Sequence, residues 1–63
     1  DFENALNDFD KAIQLDPKYA EAYFNRGLAF YKSGSAKNAC EDWEKAKKLG
    51  YKKAEKVLNQ YCK

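Results

Sequence analysis

The chain has 63 residues and a net charge of +2. Of these residues, 35% are charged, 44% are hydrophobic and none is histidine. A chain of this length forms one domain at most, and it buries only about 60% of the surface that its unfolded form exposes. No segment approaches the roughly 20 apolar residues that a membrane helix needs, so the composition predicts no membrane span.

The first predicted helix shows apolar residues at steps of three and four, which is the spacing of one helix face. Asp16 and Pro17 follow this pattern, and a proline disfavours helical geometry in the residue before it. We therefore expect the first helix to end near Leu15. Its apolar face consists of Phe2, Ala5, Leu6, Phe9, Ala12 and Ile13.

The second predicted helix runs from about Ala20 to Lys32, and its apolar residues lie on two faces. Gly34 follows it at the position where a glycine in the left-handed conformation commonly ends a helix. A helix with two apolar faces is expected to pack between two neighbours.

The third predicted helix follows Ser35, which stands where an N-cap residue is expected, and it ends before Gly50. A fourth helix is predicted from about Lys52 to Tyr61. Its apolar face is narrower than the others and lysines surround it, as is typical of a helix at the end of a stack.

The chain repeats itself at an offset of 34 residues, with ten identical residues in 29 aligned pairs. A repeat of this length in a helical sequence indicates stacked helix hairpins, because each unit leaves an apolar face that only its neighbour covers. The identical positions include Ala5 and Ala39, Asp8 and Asp42, and the pair Asn25 and Asn59.

Two spaced patterns carry a resemblance to a known family. Tyr23-x-x-Arg26-Gly27-x-x-Phe30 lies on the second predicted helix, and Ala39-x-x-x-Trp43 lies on the third. Together they resemble the tetratricopeptide repeat pattern of tryptophan, leucine-glycine and tyrosine, followed by alanine and phenylalanine. We expect Gly27 and Ala39 to let the two helices approach closely, while Phe30 and Trp43 fill the wider ends of the interface.

The resemblance implies an all-α fold of about four helices, in antiparallel hairpins stacked as a short right-handed α-solenoid. Residues 1–63 would form a single fragment of such a domain. Residues 1–16 would be the second helix of one repeat, residues 20–49 a complete hairpin, and residues 52–62 a C-terminal capping helix. We expect the chain to be a piece of a longer protein.

Three positions depart from the family pattern. Arg26 stands at the usual leucine position, and Tyr51 stands at the usual proline position. Tyr61 stands 34 residues after Gly27, where its side chain leaves no close site for another second helix, so we expect the array to end with helix four. At the other end the face of helix one formed by Phe2, Ala5 and Phe9 lacks a covering helix, which predicts self-association or preceding sequence.

In function, the resemblance implies a non-catalytic protein–protein interaction module that binds a peptide or helix of a partner protein in a concave groove. Asn25 resembles the asparagine that bonds the peptide backbone in some members. The clamp for acidic C-terminal peptides of other members is disfavoured, because Phe24 stands where a lysine is common. The groove positions carried over from the family are Glu21, Phe24, Asn25, Leu28, Tyr31, Lys32, Glu55 and Asn59, with Leu58 and Cys62 as further candidates.

Cys40 and Cys62 are predicted on helices that run roughly antiparallel, so the two side chains could face each other. A disulfide would place the protein in an exported or periplasmic setting, where it would stabilise the fold by roughly 3 kcal/mol. Two buried free thiols would instead fit a reducing cytoplasm. Both alternatives stand at this point.

The residues offer little for catalysis, because the chain lacks histidine and a glycine-rich phosphate loop. Two cysteines without histidine are too few for a structural zinc site, so we expect no enzyme, no metal and no cofactor. Glu41 with Lys45, and Glu44 with Lys48, have the spacing of surface ion pairs.

Two alternatives to peptide binding remain. The first is a structural or self-association role in a larger repeat protein, in which a homo-oligomer forms through the uncovered face of helix one. The second is a module that binds nucleic acid through the lysines of the C-terminal half, which we expect less because those lysines occur on several helix faces.

Overall fold

The fold consists of four helices, seen in a computed structural model that describes residues 2–62, with side chains from Glu3 onward. The helices are α1 (Phe2–Leu15), α2 (Ala20–Lys32), α3 (Ala36–Lys48) and α4 (Lys52–Tyr61), and the described part of the chain has no strand. The predicted all-α fold and the predicted helix bounds are confirmed.

The helices stack in chain order, with α2 packed against both α1 and α3, and α4 packed against α3. The three connections are short, so consecutive helices run antiparallel and form hairpins. The second helix therefore has two neighbours, as its two apolar faces predicted.

Glycines end α2 and α3 in the same way. Gly34 follows α2 with a φ of +95°, and the N–H of Ser35 donates to the carbonyl oxygen of Phe30 at 2.8 Å. Gly50 follows α3 with a φ of +97° and the equivalent bonds. Both ends are Schellman motifs, in which a left-handed residue turns the chain and satisfies free carbonyl groups.

Ser35 precedes α3 at the predicted N-cap position, but its side chain forms no capping hydrogen bond. Its backbone carbonyl accepts from the N–H of Ala39 at 3.0 Å instead. Ser35 is therefore the N-cap residue of α3, as predicted, and it caps through its backbone. Its φ of −99° and ψ of 64° lie outside the extended conformation typical of a side-chain cap.

The core lies where α2, α3 and α4 meet, and the completely buried Trp43 is its largest side chain. The indole of Trp43 covers Gly27, where a Cβ atom would lie only 2.5 Å from Nε1. We had expected Trp43 at a wide end of the interface, with Gly27 making room for the backbone at Ala39. The glycine makes room for the indole ring, whose Nε1–H donates to the carbonyl oxygen of Phe24 at 3.2 Å.

The face of α1 that was expected to lack a covering helix is only half buried. Ala5 and Phe9 retain part of their exposure, and Leu15 at the end of the helix is 88% exposed. The prediction for Phe2 lies outside the described side chains.

None of the helices in the described part of the chain has both the length and the apolar composition of a membrane-spanning helix.

Candidate functional site

The predicted groove positions lie on α2 and α4, and both of these helices pack against α3. The ring of Tyr31 on α2 lies 4.8 Å from the ring of Tyr61 on α4, so the two helices are in contact there. We call the eight predicted groove positions on these two helices the groove face. It comprises Glu21, Phe24, Asn25, Leu28, Tyr31 and Lys32 of α2, with Glu55 and Asn59 of α4.

The groove face contains both free and packed side chains. Five of its residues are exposed, namely Glu21, Tyr31, Lys32, Glu55 and Asn59, and Asn25 is partly exposed. Phe24 and Leu28 instead pack against the core, and the Phe24 ring lies 5.0 Å from that of Tyr51. These two side chains support the floor of the groove face more than they project from it.

Three aromatic rings form a cluster at the end of the groove face. Tyr31 and Tyr61 pack against each other and against the indole of Trp43, with ring centroids 5.8 Å and 6.0 Å from it. Both tyrosines keep about two fifths of their surface exposed, at 40% and 44%. A rigid, amphipathic aromatic surface of this kind is common where proteins contact one another.

Leu58 and Cys62, the two further groove candidates, also line a second feature of the surface. Both line a depression of about 440 Å³ between α3 and α4, together with residues of α3. Cys62 at the end of α4 is joined by a disulfide to Cys40 of α3, with the Cα atoms 6.0 Å apart. The other residues of the depression are Ala36, Lys37, Cys40, Glu41, Glu44 and Tyr61.

Arg26 holds three helices together, a role that was not foreseen from its position in the family pattern. Its guanidinium donates to both carboxylate oxygens of Asp42 on α3, at 2.8 Å and 2.7 Å. It also donates to Asp10 on α1 at 2.8 Å. Asp10 lies 16 residues before Arg26 and Asp42 lies 16 residues after it. This equal spacing was the sequence signal that could have indicated the contact.

The surroundings of Arg26 keep it charged. Its hydrogen bonds to Asp42 raise its pKa above the ordinary value, and those to Asp10 add to the effect against the opposing influence of burial. The guanidinium also lies over the rings of Tyr23 and Phe30, 5.5 Å and 5.8 Å from their centroids. A planar cation held by two carboxylates and two rings is a rigid structural joint.

The described residues do not assemble a metal site, because no group of three His, Cys, Asp or Glu side chains among them could hold an ion. The carboxylates of Asp10 and Asp42 serve the structural joint at Arg26.

Comparison with known families gives one match. A family model described as TPR repeat matches residues 1–34, which comprise α1, α2 and the turn that follows. No solved structure matches the chain significantly.

Proposed function

The chain belongs to the tetratricopeptide repeat family, and on this premise we propose that its groove face binds a peptide or helix of a partner protein. Repeats of this family serve generally as protein–protein interaction modules and are generally non-catalytic scaffolds. The proposal for this chain is that binding, and not chemistry, is its whole role, with no cofactor.

The observation that carries the proposal is the combination of exposed and rigid side chains on one surface. Tyr31 is 40% exposed, yet its ring is held by Tyr61 and Trp43. A side chain that is already ordered loses little conformational entropy when a ligand packs on it. Asn25 lies six residues before Tyr31 on the same helix and offers an amide that both donates to and accepts from a peptide backbone.

The composition of the groove face favours a mixed peptide over a purely acidic one. Glu21 and Glu55 provide negative charge, Lys32 provides positive charge, and Tyr31 provides apolar surface. Phe24 packs on Tyr51 where an acid-binding groove would need a cation. We therefore expect peptides that combine apolar and polar residues.

The test starts from a random peptide library selected against the disulfide-bonded protein. Chemical-shift perturbation with a selected peptide should map to α2 and α4, and Asn25→Ala should weaken binding by about tenfold, as expected for a lost pair of hydrogen bonds. Asn38→Ala on α3 is the matched control, because Asn38 is exposed and lies outside the groove face. Perturbations on α1 and α3, or equal effects of the two variants, would reject the groove.

A second candidate function is self-association through the uncovered face of α1. The described side chains of this face, Ala5 and Phe9, are only partly buried. A second copy that covered this face would remove apolar surface from water. Sedimentation at increasing concentration separates the two candidates, because a concentration-independent monomer that binds a selected peptide excludes obligatory self-association.

We further propose that the bond between Cys40 and Cys62 forms in the mature protein and that the protein works in an oxidising compartment. The support is that the Cα atoms of the two cysteines lie 6.0 Å apart, and that α4, the shortest of the four helices, packs chiefly on α3. Titration of thiols in the purified native protein tests this proposal, and two reactive thiols under non-reducing conditions would reject it.

A further inference from the structure

Six of the eleven lysines lie within one stretch of twelve residues, 45–56, around the turn between α3 and α4. All six are exposed, and Glu55 is the single acidic residue of the stretch. Since α3 ends at Lys48 and α4 begins at Lys52, the turn brings them to one end of the hairpin. We call this surface the lysine cluster, and its members are Lys45, Lys47, Lys48, Lys52, Lys53 and Lys56.

The charges of the lysine cluster are not neutralised within the described part of the chain. The surface ion pairs predicted from Glu41 to Lys45 and from Glu44 to Lys48 do not form there. Arg26 makes the two ion pairs that the structure describes, and neither includes a lysine. The cluster therefore presents its positive charge to solvent and to whatever approaches it.

Local helix stability accounts for only part of the cluster. Lys45, Lys47 and Lys48 lie in the last turn of α3, where the helix dipole favours positive charge. Lys52 and Lys53 are the first two residues of α4, where the dipole opposes positive charge, and the preceding Tyr51 provides no side-chain cap. Positive charge at this helix start is therefore unexplained by the stability of α4.

The side chains around the cluster restrict the kind of anion that it fits. The large apolar residues that remain exposed are Leu15, Tyr19, Tyr31 and Tyr61, all outside residues 45–56. Tyr51 is packed against Phe24, so no ring in this stretch is free to stack on a base. The cluster has no apolar side chain to insert into a bilayer and no arginine to grip a phosphate with two parallel bonds.

We propose that the lysine cluster binds an acidic segment of the same partner protein whose peptide lies on the groove face, an inference that rests on the proposed function. Lys52 lies three residues before Glu55, and Lys56 directly follows Glu55. Lys56 also lies three residues before Asn59. This spacing continues the face of α4 that carries Glu55 and Asn59 into the cluster. A peptide that leaves the groove at this end meets point charges suited to carboxylates.

The test compares two triple variants that change the net charge equally. Lys52→Glu, Lys53→Glu and Lys56→Glu together remove the α4 half of the cluster. Glutamate is favourable at a helix start, so this variant should keep its helicity and its melting temperature. The control carries Lys11→Glu, Lys18→Glu and Lys37→Glu, three exposed lysines outside the cluster.

Fluorescence anisotropy with a labelled oligoglutamate peptide on the disulfide-bonded protein gives the readout. The cluster variant should lose at least about tenfold in affinity at low ionic strength and the control less than about twofold, because attraction between exposed charges is short-ranged. Equal losses of affinity in the two variants would mean that binding depends on net charge alone, and this result would overturn the proposal. Tighter binding of an oligonucleotide, or of vesicles containing anionic lipid, than of oligoglutamate would also overturn it.

The Asn25→Ala variant separates this proposal from the proposed function. It should weaken the library-selected peptide and leave oligoglutamate binding unchanged. Oligoglutamate binding could depend on the cluster while Asn25→Ala has no effect on the selected peptide. In that case the groove proposal fails and the lysine-cluster proposal stands. If Asn25→Ala acts as expected and the cluster variant binds oligoglutamate like the wild type, the cluster proposal fails.

Discussion

The indole of Trp43 lies directly on Gly27, so that an added Cβ atom at position 27 would sit 2.5 Å from Nε1 and 2.7 Å from Cδ1. The ring is completely buried and donates to the backbone of Phe24. This contact constrains how α3 packs on α2.

Gly27→Ala should therefore destabilise the protein by about 1–3 kcal/mol, the usual result of overpacking a core. Urea denaturation followed by far-UV circular dichroism measures the change, because Trp43 is the single tryptophan and one partner variant lacks it. In a double-mutant cycle, Trp43→Phe should recover part of the loss, because the smaller ring leaves room for the methyl group. Strict additivity of the two substitutions would show that the predicted clash does not occur.

Arg26→Leu places the family's usual residue at position 26, yet it should destabilise this chain. The side chain of Asp42 is 8% exposed, so removing the guanidinium leaves a buried carboxylate without a partner. We expect a loss of about 2–4 kcal/mol in the free energy of unfolding.

Asp10→Asn is the matched test of the other half of the same joint. The side chain of Asp10 is 50% exposed, so its ion pair with Arg26 is screened by water and the substitution should cost less than about 1 kcal/mol. Thermal unfolding of both variants gives the ranking, and a larger effect at Asp10 than at Arg26 would contradict the structure.

Replacement of both cysteines by serine should lower stability by about 3 kcal/mol, because the disulfide closes a loop over a separation of 22 residues. Hydrogen exchange should rise first in α4, which packs on α3 and whose end is held by Cys62. The reduced wild-type protein should match the double variant. An unchanged urea midpoint after complete reduction would mean that packing alone retains α4.

Ser35→Ala should cost less than about 0.5 kcal/mol, well below the typical loss of about 1 kcal/mol for an N-cap serine. The reason is that the Ser35 side chain makes no capping hydrogen bond, and its backbone carbonyl remains after the substitution. Thermal unfolding followed by circular dichroism is sufficient for this comparison. A loss near the typical value would show that the hydroxyl caps α3 in solution.

Helix positions were predictable from this chain because they depend on local rules. Apolar spacing defined the faces, Pro17 marked the end of α1, and Gly34 and Gly50 matched the left-handed positions at which α2 and α3 end. Both glycines are next to open space and have positive φ, so the backbone conformation alone requires them. The repeat at 34 residues then indicated stacking, because equal faces recur at equal spacing.

Contacts between helices were less predictable, as Arg26 shows most clearly. From the pattern it was merely a departure from leucine, and the pattern did not pair it with Asp10 or Asp42. Leu58 likewise lines the depression beside α3, a contact that was not predicted, since periodicity assigns a residue to a face and not to the neighbour that covers it. The groove face itself remains a proposal that rests on the family pattern and on exposure.

The positions of the helices thus follow from backbone sterics and apolar periodicity. Both act over a few residues, so they are visible in the sequence alone. The joint at Arg26, the indole over Gly27 and the pairing of Cys40 with Cys62 depend on distances between residues 16 to 22 positions apart. Those distances exist only after the helices have packed, because side-chain volume and the satisfaction of buried charge select one arrangement among several that share the same helix faces.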